Sequence, residues 1–313
     1  MTNYKILLTD GLDEGVQSIL RDSAAVDDKS GISADDLLKV IADYDALIVR
    51  GRTKVTASVM DAAPRLKVIG RAGVGVDNID LEAAKKHGVT VVNAPTSTSL
   101  AVAELTFGLL LALAREIPRA DSAMKQGKWL KKELEGVELN GRTLGVIGFG
   151  RIGMEVGKRA AAFGMNVIAY DPLISEEEIQ KRGAEPASLQ DLYAWSDFIS
   201  LHMPLTVDTR DMVGRQAFSQ MKDGVRIVCA ARGGIIDETA LVEALNSGKV
   251  AGAALDVFSV EPPGLTEAVS HPRVIATPHI GAQTAEAQSR ASEDIAHEVL
   301  SALRGESLRW KVA

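Results

Sequence analysis

Residues 143–171, TLGVIGFGRIGMEVGKRAAAFGMNVIAYD, limit what this chain can fold into more than any other stretch. The apolar run from Thr143 to Ile147 reads as a buried strand. Gly148, Gly150 and Gly153 follow as G-x-G-x-x-G where strand passes into helix, so the backbone can turn tightly and approach a pyrophosphate without Cβ clashes. Free amides at the start of that helix suit the anion. A second strand, Asn166 to Tyr170, ends on Asp171, 18 residues beyond Gly153, where a carboxylate can accept hydrogen bonds from both hydroxyls of an adenosine ribose. Strand, glycine turn, helix, strand and acid in this order imply a dinucleotide site. The acid implies NAD rather than NADP, because a 2′-phosphate would meet a carboxylate there, and the nearby cations, Lys181 and Arg182, come ten residues later.

Similar alternation runs through the rest of the 313 residues. From residue 4, the apolar runs YKILLTD, DALIVR, LKVIGRAG and VTVVNAP alternate with helical patterns near 13–22, 57–63 and 80–87, which implies a parallel sheet covered by helices. After Pro95 comes a long helix, roughly 98–116, apolar on nearly every side and so expected to be buried on every side, with N-cap candidates in Thr96 to Ser99. A second series starts at Thr143 and continues through NVIAYD, DFISLHMP, VRIVCAARGG, VAGAALDV and RVIATPHI, giving six strands of a doubly wound nucleotide domain. A last helical pattern, roughly 284–303, is expected to pack back on the first lobe. The expected domains are therefore 1–97 plus 285–313 for substrate binding and 98–284 for NAD binding.

Composition narrows the function classes. A net charge of −7 without a Lys/Arg stripe argues against a nucleic-acid surface. No stretch approaches 18 uninterrupted apolar residues and the N-terminus lacks a basic start followed by an apolar run, so no membrane association and a cytoplasmic location are expected. The single cysteine, Cys229, lies in the apolar run VRIVCA and reads as a core residue, and no His/Cys/Asp/Glu group has metal-ligand spacing.

Hydride transfer with a bound dinucleotide needs a cation for the substrate's acid group, a base for its hydroxyl proton, and a group that fixes the tautomer of that base. Strand ends supply all three. Arg232, in CAARGGIID, can project a guanidinium into the crevice at the carboxyl end of the sheet. Glu261 sits in the turn VEPPG, and His279 follows Pro278 at the end of RVIATP, with Gly281 allowing close backbone approach to a ligand. Glu261 would select which ring nitrogen carries the proton, making His279 the general base. His87, His271 and His297 read as solvated surface, and His202, in SLHMP, as structural or cofactor-adjacent.

The ordered segments G-F-G-R-I-G, Y-D-P, H-M-P-L-T, A-R-G-G-I-I-D, A-A-L-D-V-F, E-P-P and P-H-I-G-A resemble the D-isomer-specific 2-hydroxyacid dehydrogenases over nearly the whole chain. That resemblance implies a flavodoxin-like substrate domain beside the Rossmann domain, and Arg232, Glu261 and His279 as catalytic Arg, Glu and His. It puts Arg151 and Ile152 at the pyrophosphate, Asp171 at the ribose, and further cofactor contacts at Val74, Thr206, Ala230, Ala231, Asp256, Gly281 and Ala282, with Asp256 near the nicotinamide amide. The backbone of Arg71, Ala72, Gly73, Val74 and Gly75 would bind the substrate carboxylate. Arg50 and Arg71 would face a phosphate, and Lys131 would reach a neighbouring subunit in a homodimer. Departures at Thr96 and Thr98, and the added cation Arg52, bear on the identity of the acid.

The implied reaction is NAD-dependent oxidation of an anionic 2-hydroxy acid, foremost 3-phospho-D-glycerate to 3-phosphohydroxypyruvate, the entry step to serine. Alternatives are hydroxypyruvate or glyoxylate reduction, and oxidation of another anionic acid such as sulfolactate. A further alternative of a different class is an NAD-sensing, corepressor-like scaffold. With its last residue at Ala313, the chain is expected to be a short form without the family's C-terminal regulatory domain.

Overall fold

The computed structural model describes residues 4–313, so the first three residues of the expected substrate domain lie outside it. The chain separates into two compact units, one running to Thr98 and resuming at Ala282, the other spanning Ser99–Gly281.

The first unit holds a five-stranded parallel sheet. Its strands are β1 (Tyr4–Leu8), β2 (Ala24–Asp28), β3 (Ala46–Val49), β4 (Val68–Arg71) and β5 (Thr90–Asn93), in the order β2-β1-β3-β4-β5. This is the flavodoxin-like order. Both faces are covered, so neighbouring residues of one strand enter different cores. Leu7, Leu47 and Ile69 pack with Leu37, Ile41 and Val59, while Ile6, Leu8 and Ile48 pack with Ile295, Val299 and Leu303 of the helix Ala285–Arg304. That helix lies tight on β4, for a Cβ at Gly70 would stand 2.5 Å from Val299 Cγ2 and 3.0 Å from Ile295 Cγ1. The chain's last residues close the open edge of β5, where Val91 N donates to Ala313 O at 2.9 Å and Val312 N to Val91 O at 2.7 Å. Strand β2, AAVDD, is absent from the four runs read from the sequence. Two carboxylates and mostly outward-facing residues hide it, and parallel pairing with β1 defines it.

The second unit holds a seven-stranded parallel sheet: β6 (Thr143–Ile147), β7 (Asn166–Tyr170), β8 (Glu185–Pro186), β9 (Phe198–Leu201), β10 (Val225–Cys229), β11 (Val250–Leu255) and β12 (Val274–Ala276). Its order, β8-β7-β6-β9-β10-β11-β12, is that of a doubly wound nucleotide domain whose direction of winding reverses between β6 and β9. The strand beyond the expected six is β8, two residues long. Leu144, Val146 and Phe198 point to one core, Ile147, Ile199 and Leu201 to the other.

Helix Ser99–Ala114 buries Phe107, Leu110 and Leu113 in the first of these cores. The expectation of burial on every side does not hold. Leu100 is 45% exposed, and Glu104 and Gly108, spaced four residues apart along the same stripe, are exposed with it. Nor does Ser97 act as an N-cap, because its hydroxyl donates to Ala94 O at 2.9 Å. Among the described residues, no helix is long and apolar enough to cross a membrane.

Candidate active site

In the second unit the glycine turn follows β6 at the switch point of the sheet. Gly148 has φ +87°, and a Cβ there would sit 2.8 Å from the His202 carbonyl that follows β9. A Cβ at Gly153 would collide with Gly148 O, so that glycine lets helix Arg151–Ala162 rest against the turn. Around the Cβ position of Gly150, the helix N-cap, there is open space, and no side chain caps the first-turn amides. Arg151 is exposed and Ile152 half-buried beside them. This is a cradle with free donors at the end of a 12-residue helix, which suits a pyrophosphate.

Asp171 follows β7, and its carboxylate accepts Phe149 N at 2.8 Å and Leu173 N at 2.9 Å, which aims it beside the glycine turn with lone pairs remaining for ribose hydroxyls. Arg182 stands closer to the glycine turn than its place in the sequence implies. Although it comes 11 residues after Asp171 in the sequence, it folds back so that Nη1 donates to Phe149 O at 2.9 Å while Nε pairs with Glu178 at 2.9 Å. The turn thus carries a carboxylate on its amide side and a guanidinium on its carbonyl side.

The three residues expected to be catalytic follow β10, β11 and β12. Ala230 and Ala231 are buried and lead to half-buried Arg232, whose Nη1 donates to Ala231 O at 2.7 Å. Gly233 is essential to this turn, since a Cβ there would collide with Phe258 O. Glu261 binds through both oxygens: Oε1 accepts Phe258 N at 3.1 Å, and Oε2 meets His279 Nδ1 at 2.8 Å. With Nδ1 engaged by a carboxylate, Nε2 is the nitrogen left to exchange a proton with a ligand. Both side chains remain accessible.

His279 itself has φ +53°, a conformation a non-glycine residue adopts only when its surroundings enforce it. The enforcing group is Asp256. Its side chain has no exposed surface, and it accepts Ile280 N at 2.9 Å and Thr277 Oγ1 at 2.6 Å on Oδ1, and Gly281 N at 2.8 Å on Oδ2. The sequence reading puts Asp256 near the nicotinamide amide; the structure adds that it braces the whole turn bearing His279, with Thr277 as an unanticipated partner.

The other expected positions are scattered. Thr206 is exposed and closes a local turn with Thr209, and Lys131 is exposed after helix Ile117–Lys125 with no hydrogen bond or ion pair to Arg232, Glu261 or His279. His202 lies beside the glycine turn, its Nε2 against Ser200 Oγ at 2.7 Å and its Nδ1 buried; burial pushes its pKa down to about 3, so the ring is neutral. His87 pairs with Asp61, and His271 Nδ1 accepts Arg273 N. Cys229 is buried, and burial pushes its thiol up to about 11, as fits an inert core residue.

In the first unit the segment after β4 forms a tight loop. Gly73 has φ +146° and lies under the Arg71 guanidinium, where any Cβ would collide; Ala72 N donates to Val49 O, and Asn93 Nδ2 to Val74 O. Gly75 is half-buried beside them, and Ala282, where this unit resumes, accepts Gln288 Nε2. The segment after β3 carries Arg50 and Arg52, which have different fates. Arg52 is turned onto the protein, donating to Thr9 O at 2.7 Å and Ile32 O at 3.1 Å and pairing with Asp10 at 3.1 Å. Arg50 is half-buried, burial draws its guanidinium below the usual arginine range against the opposing pull of Asp10, and its Nε has no hydrogen-bond partner.

Residues 107–281 match the family model described as D-isomer specific 2-hydroxyacid dehydrogenase, NAD binding domain. The chain is 50% identical to the rat protein named D-3-phosphoglycerate dehydrogenase, a match covering 97% of this chain and 57% of that protein, so it spans about half the length of such relatives. It is 48% identical to the hydroxypyruvate reductase of Thermotoga maritima, over 97% of this chain and 99% of that protein. Among solved structures, the D-lactate dehydrogenase of Aquifex aeolicus complexed with NAD and lactic acid superposes with a TM-score of 0.84 at 33% identity, covering 96% of both chains.

Proposed function

The chain belongs to the D-isomer specific 2-hydroxyacid dehydrogenase family, and on that premise we propose that it is an NAD-dependent dehydrogenase oxidising 3-phospho-D-glycerate to 3-phosphohydroxypyruvate. The observation that carries the reading is the Glu261–His279 contact at 2.8 Å, with Glu261's other oxygen held by Phe258 N. A tautomer-fixed imidazole at the carboxyl end of a nucleotide-binding sheet, two strands across from Arg232, is placed to accept a hydroxyl proton.

When bound, NAD supplies the acceptor for the hydride that leaves C2. The protein's residues do the rest. Arg232 binds the C2 oxygen and the adjacent carboxylate, holding C2 in one orientation. His279 Nε2 takes the hydroxyl proton as the C2–O bond becomes a carbonyl, and Glu261 Oε2, accepting from Nδ1–H, stabilises the imidazolium that results. Asp171 holds the adenosine ribose, and the amides of Arg151 and Ile152 with the open cradle at Gly150 hold the pyrophosphate. The backbone of Arg71–Gly75 binds the substrate carboxylate, while Arg50 and Arg71 take the phosphate. In this assignment the Ser99–Gly281 unit is the NAD-binding domain, the other the substrate domain, and the protein works as a cytoplasmic homodimer in which Lys131 serves the neighbouring copy.

Support for the phosphorylated acid comes from the names of the relatives at about 50% identity and from two arginines beside the substrate loop. A second reading, hydroxypyruvate reduction, is favoured by the Thermotoga relative, which matches along nearly its whole length. NADH formation from NAD with 3-phospho-D-glycerate, D-glycerate, sulfolactate and D-lactate, and NADH loss with the matching keto acids, separates the readings. Saturable turnover strongest for the phosphorylated pair supports the first; turnover strongest for hydroxypyruvate supports the second; tight NADH binding without turnover on any acid supports a scaffold instead.

A further inference from the structure

The four residues Arg50 to Thr53 are gripped from both sides. On one side Asp10, its side chain only 4% exposed, accepts Arg50 N at 2.7 Å, Thr53 N at 3.1 Å and the Thr53 hydroxyl at 2.5 Å. On the other, Asn78 Nδ2 donates to Arg50 O at 3.0 Å and to Thr53 O at 2.6 Å. Asp10 follows β1, the turn follows β3 and Asn78 lies in the loop after β4, so the grip ties together three segments at the carboxyl end of one sheet. The five contacts hold backbone and the Thr53 hydroxyl, leaving the Arg50 side chain to be aimed by the path of the main chain. Arg52, the other cation of the turn, closes the grip by pairing with Asp10. Among the described residues Arg50 has no salt bridge, and its buried Nε has no acceptor.

A buried donor without a partner is unfavourable unless a ligand supplies one. We propose that Asp10 and Asn78 are positioning residues for substrate charge: they fix the 50–53 turn so that Arg50 stays available to a second anionic group on the hydroxy acid, and Arg52 is committed to the brace. This rests on the function proposed above and deepens it. Anion selectivity then resides in a backbone grip as much as in the arginine it presents, because a loosened turn lets Arg50 swing into solvent, where its charge is screened and its geometry lost.

Asn78→Ser and Asp10→Asn test this by steady-state kinetics at saturating NAD, with 3-phospho-D-glycerate compared against D-glycerate. The expected result is a KM for the phosphorylated acid raised by about tenfold, the order of one charge-assisted hydrogen bond, with kcat for both acids and KM for D-glycerate changed by less than about twofold. Should Asp10→Asn not fold, Asn78→Ser decides the matter, since it removes neutral donors from a half-buried position. A folded variant that keeps the parent's preference between the two acids overturns the proposal, and so does an equal fall in activity on both, the mark of a merely structural role. Failure of the unaltered protein to use the phosphorylated acid at all is a separate result, which sinks the proposed function before any variant is made.

Discussion

Replacing Asp256 with Asn removes one negative charge from a side chain with no exposed surface and places an amide where two backbone N–H groups and one hydroxyl converge. Asparagine keeps the shape but has one acceptor oxygen where aspartate has two. Whichever way the amide turns, its NH2 faces a donor: Gly281 N in one orientation, or Ile280 N in the other. One buried N–H is left unsatisfied, which is destabilising by about 1–3 kcal/mol, and the surviving bonds lose their charge assistance, so the total is on the order of 2–4 kcal/mol. For a unit of this size that corresponds to a fall in Tm of roughly 5–15 °C. The same bonds hold His279 in its left-handed conformation, and releasing them moves the imidazole off line; a displacement of about 1 Å lowers kcat by around 100-fold. Thermal melting by circular dichroism and NADH-coupled kinetics read the two effects on one preparation. If Asp256→Asn melted within a degree or two of the parent and kept most of its kcat, the turn would be self-supporting and the bracing role assigned to Asp256 would be wrong.

His279→Gln should lower kcat by about 100- to 10,000-fold while leaving NADH binding, followed by fluorescence, close to the parent's; retained turnover would remove it as the base. Asp171→Ala should weaken NAD binding by about tenfold or more and shift the ratio of NADP to NAD efficiency upward, because a 2′-phosphate then no longer meets the Asp171 carboxylate and the Arg182 guanidinium, paired with Glu178, already sits on the glycine turn. An unchanged cofactor ratio would show that Asp171 does not read the ribose. His202 bears on pH. Its folded pKa of about 3 lies below the ordinary value of 6.5, so between those limits the unfolded chain binds a proton that the folded one refuses, and stability falls as pH drops from about 6.5 towards 3. Denaturant midpoints for His202→Gln should be flatter across that range, and a slope equal to the parent's would place the acid sensitivity elsewhere.

What the sequence makes legible here is what local chemistry determines. The glycine spacing, Asp171 and the candidate positions Arg232, Glu261 and His279 stand out in the sequence because each follows an apolar run that gives way to a turn, and the structure has strands β6, β7, β10, β11 and β12 ending before them. Strands β2 and β8 are hidden for the converse reason: AAVDD and Glu185–Pro186 have no apolar signature, and hydrogen bonding to a neighbouring strand defines them. Polar-to-backbone braces are hidden more deeply. Asp10 reaches residues 40 and 43 positions away, and Asn78 reaches back 25 and 28, distances at which no periodicity carries information. Arg52 illustrates the cost of reading charge without partners, since its place beside Arg50 suggests a second substrate cation and its hydrogen bonds tie it to the protein. The stripe of helix Ser99–Ala114 through Leu100, Glu104 and Gly108 is likewise invisible in composition, because a leucine and a glycine do not announce an outward face.

The helix Ala285–Arg304 and the residues pairing with β5 belong to the core that begins with β1, and this interruption has a consequence for how the protein is made. On the ribosome, the strands of the first unit emerge without the side chains of Ile295, Val299 and Leu303 that cover one of their faces. The whole continuous unit, Ser99–Gly281, must be synthesised in between. At about 5–20 residues per second that delay is roughly 10–40 s, ample time for the continuous unit to fold. The emerging N-terminal sheet meanwhile presents a bare apolar face and an unpaired edge at β5, the surfaces that chaperones bind. Folding order is therefore expected to run opposite to chain order, with the middle of the protein maturing before its beginning.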